Sequence, residues 1–462
     1  MPVRRTAAAR PLAIRGGTVV TMDPLRSIRV ADILVDAEGR IADLRDPADA
    51  APAANSIDAS GQVVVPGLVQ AHTHLCQTLF RGLAEAQPLL AWLRERIWPL
   101  EAAHDAASLR ASARLSIAEL LLGGTTAILD MGTVHHTDTL FETAAETGIR
   151  YTGGKALMDA GEGVPAGLLE PTAVALRESD RLAEAWHERE GGRLRYAYSP
   201  RFVLSATFDL LRSVGARARA NHMLVHTHAS EQKEEIDLVR QRFGAPNIRL
   251  LANMGLAETN ACFAHCVWPE PEEYDILASG GASVVHCPSC NLKLASGVAP
   301  IASYLEYGVN IALGADGAAS NNRLDAWEEL RLAGLLARFR DGVGAIADAD
   351  LFEMATMGGA RALDLDTDLG SVEVGKYADL VVLDLRGPHA AGSGDVYTQL
   401  VYSARASDVR HVFVGGRQLV QDGKLLAFDE HQAIDEAARQ RDQLLKRAEI
   451  SPFPSERGFI KG

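Results

Sequence analysis

Cysteine is scarce in this sequence. Five thiols, Cys76, Cys262, Cys266, Cys287 and Cys290, are spread over 462 residues. An odd, sparse set does not make a disulfide framework, and a reducing compartment is favoured. No second pair accompanies Cys287 and Cys290, so their CxxC reads as incidental rather than as a structural zinc site. Basic runs are also missing. Lys and Arg total 46 against 60 Asp and Glu, a formal net charge of −14, which argues against nucleic acid or an anionic membrane as a partner. No apolar stretch is long enough and free enough of charge to span a bilayer. The opening "MPVRRTAAARPLAI" has the arginines of a signal peptide, but Pro and Arg break the apolar segment that one needs. It reads as a short disordered leader on a cytoplasmic protein. Low-complexity segments are absent as well. What is present is apolar residue: 47% of the chain is hydrophobic, enough for a large core, and the length suits a big barrel with a smaller companion.

From residue 63 a unit recurs in which a short apolar run ends in a polar residue and a helical stretch follows. The runs are "VVVPGLVQAH", "TTAILDM", "IRYTGGKAL", "LRYAYSPR", "MLVHTH", "ACFAHC", "ASVVHC" and "VNIALGAD". Between them lie amphipathic stretches such as "SLRASARLSIAELLLGG". Eight β-then-α units predict a (β/α)8 barrel of the TIM type, whose reactive groups collect at the C-terminal ends of the strands. Those ends carry His72 and His74, Asp130, Lys155, Arg201, His228, His265, His286 and Asp316. His72 and His74 stand two apart, so on a strand both project to one side, as ligands of a metal must. Packing alone is a poor reason for histidines at so many strand ends.

The flanks have a different texture. Residues 11–62 and 370–430 read as short alternating strands with Gly- and Asp-rich turns, such as "ADILVDAEGRIADL" and "VRHVFVGGRQLVQDGKLL". They bracket the barrel and are expected to pair into a small β-sandwich domain. The expected division is 1–65 for its N-terminal part, 66–368 for the catalytic barrel and 369–462 for its C-terminal part, closing with one exposed helix.

The motifs "PGLVQAHTH", "HTHASE", "FAHC", "HCPSCNLKLASG", "LGADGAASNN" and "GKYADLVVLD" together resemble the amidohydrolase superfamily. More narrowly they are similar to its branch of methylthioadenosine/S-adenosylhomocysteine deaminases and 5′-deoxyadenosine deaminases, related to guanine deaminases and triazine hydrolases. The resemblance implies that His72, His74, His228 and Asp316 hold one divalent ion, with zinc favoured and iron compatible with the same donors. It implies Glu231 as proton shuttle, His265 as the contact to the attacking water and the oxyanion, and Asp316 as acceptor of the water's proton. His226 competes with His228 as a ligand, and the "HASE" match favours His228. Two-metal members carry a lysine carbamate at the fourth strand's end. Here Arg201 stands there, and a guanidinium forms no such bridge.

The implied reaction is hydrolytic deamination of an aminopurine, foremost a 5′-modified adenosine. Trp92 and Trp98 offer apolar walls for a purine. The segment "SPRFVLS" departs from the adenosine type. Its Arg201 and Phe202, with Gln77, look like guanine deaminase positions, so guanine-type deamination stays open, as does triazine hydrolysis. Arg201 reads equally well as a structural cation paired with an acid. A catalytically inactive binding scaffold is the reading of another class. His286 is a pocket wall or a packing residue, the role of Lys155 is open, and His104, His135 and His136 read as surface positions. A small-molecule substrate is expected, and a homo-oligomer is an allowed arrangement by analogy.

Overall fold

The computed structural model describes residues 11–49, 55–85, 87–258, 260–392 and 394–451. The expected leader thus falls almost wholly outside the described residues. Eight parallel strands follow one another around a barrel: Leu68–Thr73, Thr125–Met131, Arg150–Gly154, Leu194–Pro200, Leu224–Ala229, Ala261–His265, Ser283–His286 and Asn310–Leu313. A two-residue strand, Ala156–Leu157, adds to the fourth. The ring is drawn shut between the first and eighth strands by a bridge between Thr73 and Asp316, and the Asp316 amide donates to the His72 carbonyl at 3.1 Å. The predicted barrel is therefore the observed one. Its strands are buried along nearly their whole length, which is why they read as apolar runs and not as alternating patterns.

The run "VVVPGLVQAH" is not one strand. Val63–Pro66 belongs to the second sheet, pairing with Leu12–Val20 and with Leu380–Leu383. The barrel strand starts after Gly67. A Cβ on Gly67 would lie 2.1 Å from Thr126 Oγ1, so the chain passes between sheets through a gap that only glycine fits.

The second sheet joins both chain ends. Its path runs Lys424–Leu425, Arg417–Gln421, Val409–Val414, Leu380–Leu383, Val63–Pro66, Leu12–Val20, Ile28–Val35 and Ile41–Arg45, with Ser56–Asp58 paired to Leu12–Val20. Ile14, Val19, Ile33, Val64, Val382 and Phe413 bury together in a core of its own. The Arg150 guanidinium clamps it to the barrel, donating to both Asp379 oxygens at 2.8 and 3.0 Å, with both side chains buried.

The last helix, Glu430–Ala448, departs from expectation: it is not simply exposed. Asp429 caps it, and Ala433, Ala437, Leu444 and Leu445 are buried against Ala106–Leu122. Arg447 donates to the Ala103 carbonyl at 2.8 Å. His104 is a second departure. It is buried, with Nε2 2.9 Å from the Cys76 carbonyl and Nδ1 3.0 Å from Ser108 Oγ, and burial lowers its pKa to about 4. His135 and His136 are exposed, as read. Among the described residues no helix is long and apolar enough to cross a membrane.

Candidate active site

Three strand ends converge. His72, His74, His228 and Asp316 each bring one donor atom within 4.8 Å of the others. The outward nitrogen of each imidazole is already committed. His74 Nδ1 lies 3.0 Å from the Met131 carbonyl and His228 Nδ1 2.8 Å from the Arg201 carbonyl. A carbonyl only accepts, so both rings carry their proton on Nδ1. Their Nε2 lone pairs then face each other at 3.2 Å. His72 Nδ1 lies 2.7 Å from His226 Nε2, and His72 Nε2 stands 3.2 Å from Asp316 Oδ1 without a hydrogen bond. Lone pairs aimed at one another and at a carboxylate repel in a buried site unless a cation lies between them. Three neutral imidazoles, one carboxylate and outer partners that fix the tautomers are what a divalent ion requires. The residues present fit such an ion.

Backbone geometry brings Asp316 there. A Cβ on Gly314 would stand 2.7 Å from the His72 carbonyl oxygen, so glycine allows the eighth strand's end to press against the first. Asp316 itself sits at φ +59°, and His265 at φ +73°. Each left-handed residue costs about 1–3 kcal/mol, held here by the packing around it. Asp316 Oδ2 accepts from Ser320 Oγ at 2.7 Å, which turns Oδ1 toward the imidazoles. Burial raises the Asp316 pKa, but His72 and His74 beside it more than offset this and hold it well below the carboxylate range. Burial depresses the His72 pKa to about 4 and that of His228 well below its ordinary value, so both stay neutral, whereas at His74 the adjacent Asp316 outweighs burial and raises the pKa.

Above this floor lies a narrow cavity of about 30 Å³, lined among others by Gln77, Trp92, Arg201, Phe202, Glu231 and His265. Glu231 follows the fifth strand and precedes the helix Lys233–Phe243, whose first-turn acids are Glu234 and Glu235. Its carboxylate is free for the cavity, with Oε2 3.7 Å from His265 Nε2 and Oε1 accepting weakly from Ser296 Oγ at 3.4 Å. Burial raises its pKa. His265 Nδ1 lies 3.0 Å from Asn291 Oδ1, and its Nε2 is buried without a partner.

The remaining strand ends play other parts. Arg201 is locked to Glu101, with nitrogen–oxygen distances of 2.5 and 3.1 Å, and Gln77 Nε2 donates to the same carboxylate at 3.0 Å. That leaves Gln77 Oε1 buried and unpaired, beside the cavity. Asp130 accepts from the Leu75 amide at 2.7 Å and from the Tyr151 hydroxyl at 3.0 Å, fixing the loop after His74. Lys155 pairs with Glu170 at 2.6 Å. His226 is a partner of His72 and stands outside the four converging donors. His286 is buried but does not line the cavity, and neither ring nitrogen has a hydrogen-bond partner among the described residues. Trp98 is buried and likewise does not line it, contrary to the expectation that it would form a wall.

Three neighbours escaped the sequence reading. Glu101 carries no motif. Glu235 lines the cavity and accepts from the Glu231 amide at 3.0 Å. Cys290, read as incidental, groups with Glu231 and His265. The Glu235 signal was in "SEQKEE", one helical turn beyond Glu231.

Fold and site together define a hydrolase barrel built to work with a divalent metal. The chain belongs to the amidohydrolase family, whose model matches residues 63–419. It is 38% identical over 442 residues to a 5-methylthioadenosine/S-adenosylhomocysteine deaminase of Natronomonas pharaonis, covering 95% of this chain and 99% of the relative. It is 37% identical over 409 residues to a 5′-deoxyadenosine deaminase of Methanothermobacter thermautotrophicus, covering 88% and 93%. Among solved structures, an adenosine deaminase of Xanthomonas campestris with bound zinc superposes with a TM-score of 0.88 at 31% identity, covering 94% of this chain and 98% of that one.

Proposed function

We propose that this enzyme is a hydrolytic deaminase of 5′-modified adenosines, of the kind represented by 5′-deoxyadenosine, methylthioadenosine and S-adenosylhomocysteine. The exocyclic C6 amine leaves as ammonia and a water oxygen takes its place, giving the inosine analogue. The observation that carries this reading is the pairing of full-length similarity to deaminases of those nucleosides with a buried Glu231 that shares the cavity with His74, His228 and Asp316. The ion, most simply one zinc per chain, supplies Lewis acidity and lowers the pKa of water to about 7 when bound.

The protein's own groups do the rest. Asp316, ionised at neutral pH, accepts the water's proton. Glu231, with its raised pKa, delivers a proton to the purine ring nitrogen, which makes the adjacent carbon electrophilic, and afterwards protonates the departing amine. His265 Nε2 faces the reacting centre beside Glu231. Trp92 and Phe202 supply apolar surface for the purine, and Gln77 Oε1 is free to accept from its edge. Arg201 serves chiefly by holding Glu101 and, through it, Gln77. A cytoplasmic location fits the cysteine content.

Side-by-side kcat/KM for 5′-deoxyadenosine, methylthioadenosine, S-adenosylhomocysteine, adenosine, guanine and a chlorotriazine tests the reading. The 5′-modified adenosines should lead. Preference for guanine would replace the substrate, and activity on the triazine alone would move the reaction class. Metal retention with no turnover on any of them would favour a binding scaffold.

A further inference from the structure

Beside the four converging donors lies a second group. Glu231, His265 and Cys290 are buried, and each offers a donor atom within 4.8 Å of the other two. They come from three elements: the loop after the fifth strand, the end of the sixth, and the helix Pro288–Lys293. His265 donates through Nδ1 to Asn291 Oδ1 at 3.0 Å, so its Nε2 keeps a lone pair. That atom has no hydrogen bond, in a side chain only 1% exposed. Cys290 is a free thiol. A tetrahedral zinc with bonds of about 2.0–2.3 Å separates its donors by about 3.3–3.8 Å, and His265 Nε2 and Glu231 Oε2 already stand 3.7 Å apart.

We propose that Glu231, His265 and Cys290 form a second, weaker site for a soft divalent ion such as zinc or cadmium, next to the resident one, and that filling it stops turnover. Thiolate, imidazole and carboxylate make a donor set of the softness that zinc and cadmium select, with one position left for water. On binding, the Cys290 S–H bond breaks, its proton goes to solvent and a metal–sulfur bond forms. Two features make the site weaker than the first. The thiol must give up its proton next to Asp316 and Glu231. The His265 ring also lies only 5.4 Å, centroid to centroid, from those of His72 and His228, so two dications would repel at short range. Inhibition follows because the ion occupies the Glu231 and His265 atoms assigned above to proton transfer. That consequence rests on the proposed mechanism; the binding itself does not.

The test uses the full chain loaded with one zinc. Cadmium is added while the ultraviolet thiolate-to-cadmium charge-transfer band, the bound zinc and cadmium, and deaminase activity are followed. The wild-type protein should keep its zinc, take up one cadmium with the band, lose activity at the same midpoint and recover it on dialysis. Cys290→Ser and Cys290→Ala should keep the zinc and lose the band, with the inhibition midpoint moving to about tenfold higher metal or beyond. Cys287→Ser should still give the band. The proposal is overturned if wild type takes up no second ion, or if both Cys290 variants bind and are inhibited like wild type. Should the protein prove inactive on every nucleoside, stoichiometry and the band still decide the site.

Discussion

Seven of the eight strand ends fall into two sets, and the contrast between them separates chemistry from structure. At the first, fifth, sixth and eighth strands, His72, His74, His228, His265 and Asp316 point atoms at a shared space while their other atoms are fixed from outside. At the second, third and fourth strands, Asp130, Lys155 and Arg201 are closed on neighbours by short hydrogen bonds and ion pairs. Both sets are polar and buried, so polarity at a strand end is not what marks a reactive group. What marks it is an atom left unpaired and aimed where others are aimed. His286 belongs to neither set, because its nitrogens are unpaired yet face no shared space.

The largest effect should come from opening the converging set. His72→Ala and Asp316→Ala should lose the ion and with it all measurable deamination, which metal analysis and ammonia release would report together. Full metal content in either variant would dissolve the contrast. Glu231→Gln should keep the ion but lose about two to four powers of ten in turnover, because an amide relays no proton. A near-normal rate would remove Glu231 from the chemistry.

Breaking the closed set should act on stability instead. Arg201→Ala strands the buried Glu101 carboxylate and should cost about 3–5 kcal/mol of folding free energy, read from denaturant unfolding. Because His228 is held by the Arg201 carbonyl and not by its guanidinium, the folded variant should still bind the ion. Loss of metal without loss of stability would reverse the assignment.

Acid should act more gently. Burial depresses the His286 pKa to about 3 and that of His104 to about 4, against about 6.5 in an unfolded chain. Below pH 6.5 the unfolded chain takes up protons that the folded rings refuse. Stability should therefore fall as the pH drops from about 6.5 toward 3, and be unaffected above it, with His286 alone costing on the order of 2 kcal/mol at pH 5. The smallest expected effect is that of His286→Leu on catalysis. It should flatten this acid slope and leave kcat/KM unchanged, and a collapse in rate or metal content would place His286 with the converging set.

The amino-acid order alone determined much here. Eight apolar runs with polar ends announce a barrel, since strands covered on both faces must be continuously apolar. The quoted motifs announce the residues that now lie together: His72, His74, His228 and Asp316 as one group, with Glu231 and His265 beside them. Tertiary structure decided what local pattern cannot carry. Gly67 divides one apolar run between two sheets, because the clash with Thr126 exists only once both strands are in place. Glu101 meets Arg201 and Gln77 across long gaps in sequence, and no spacing rule foretells a partner 100 residues away. His104, expected at the surface, and Trp98, expected as a wall of the site, are both buried elsewhere, since burial depends on what packs over a residue. Cys290 looked like half of an idle CxxC, and only the meeting of three separate elements set its sulfur beside Glu231 and His265. Periodicity fixes which face of an element turns inward; which two atoms then touch is settled by the closure of the whole barrel.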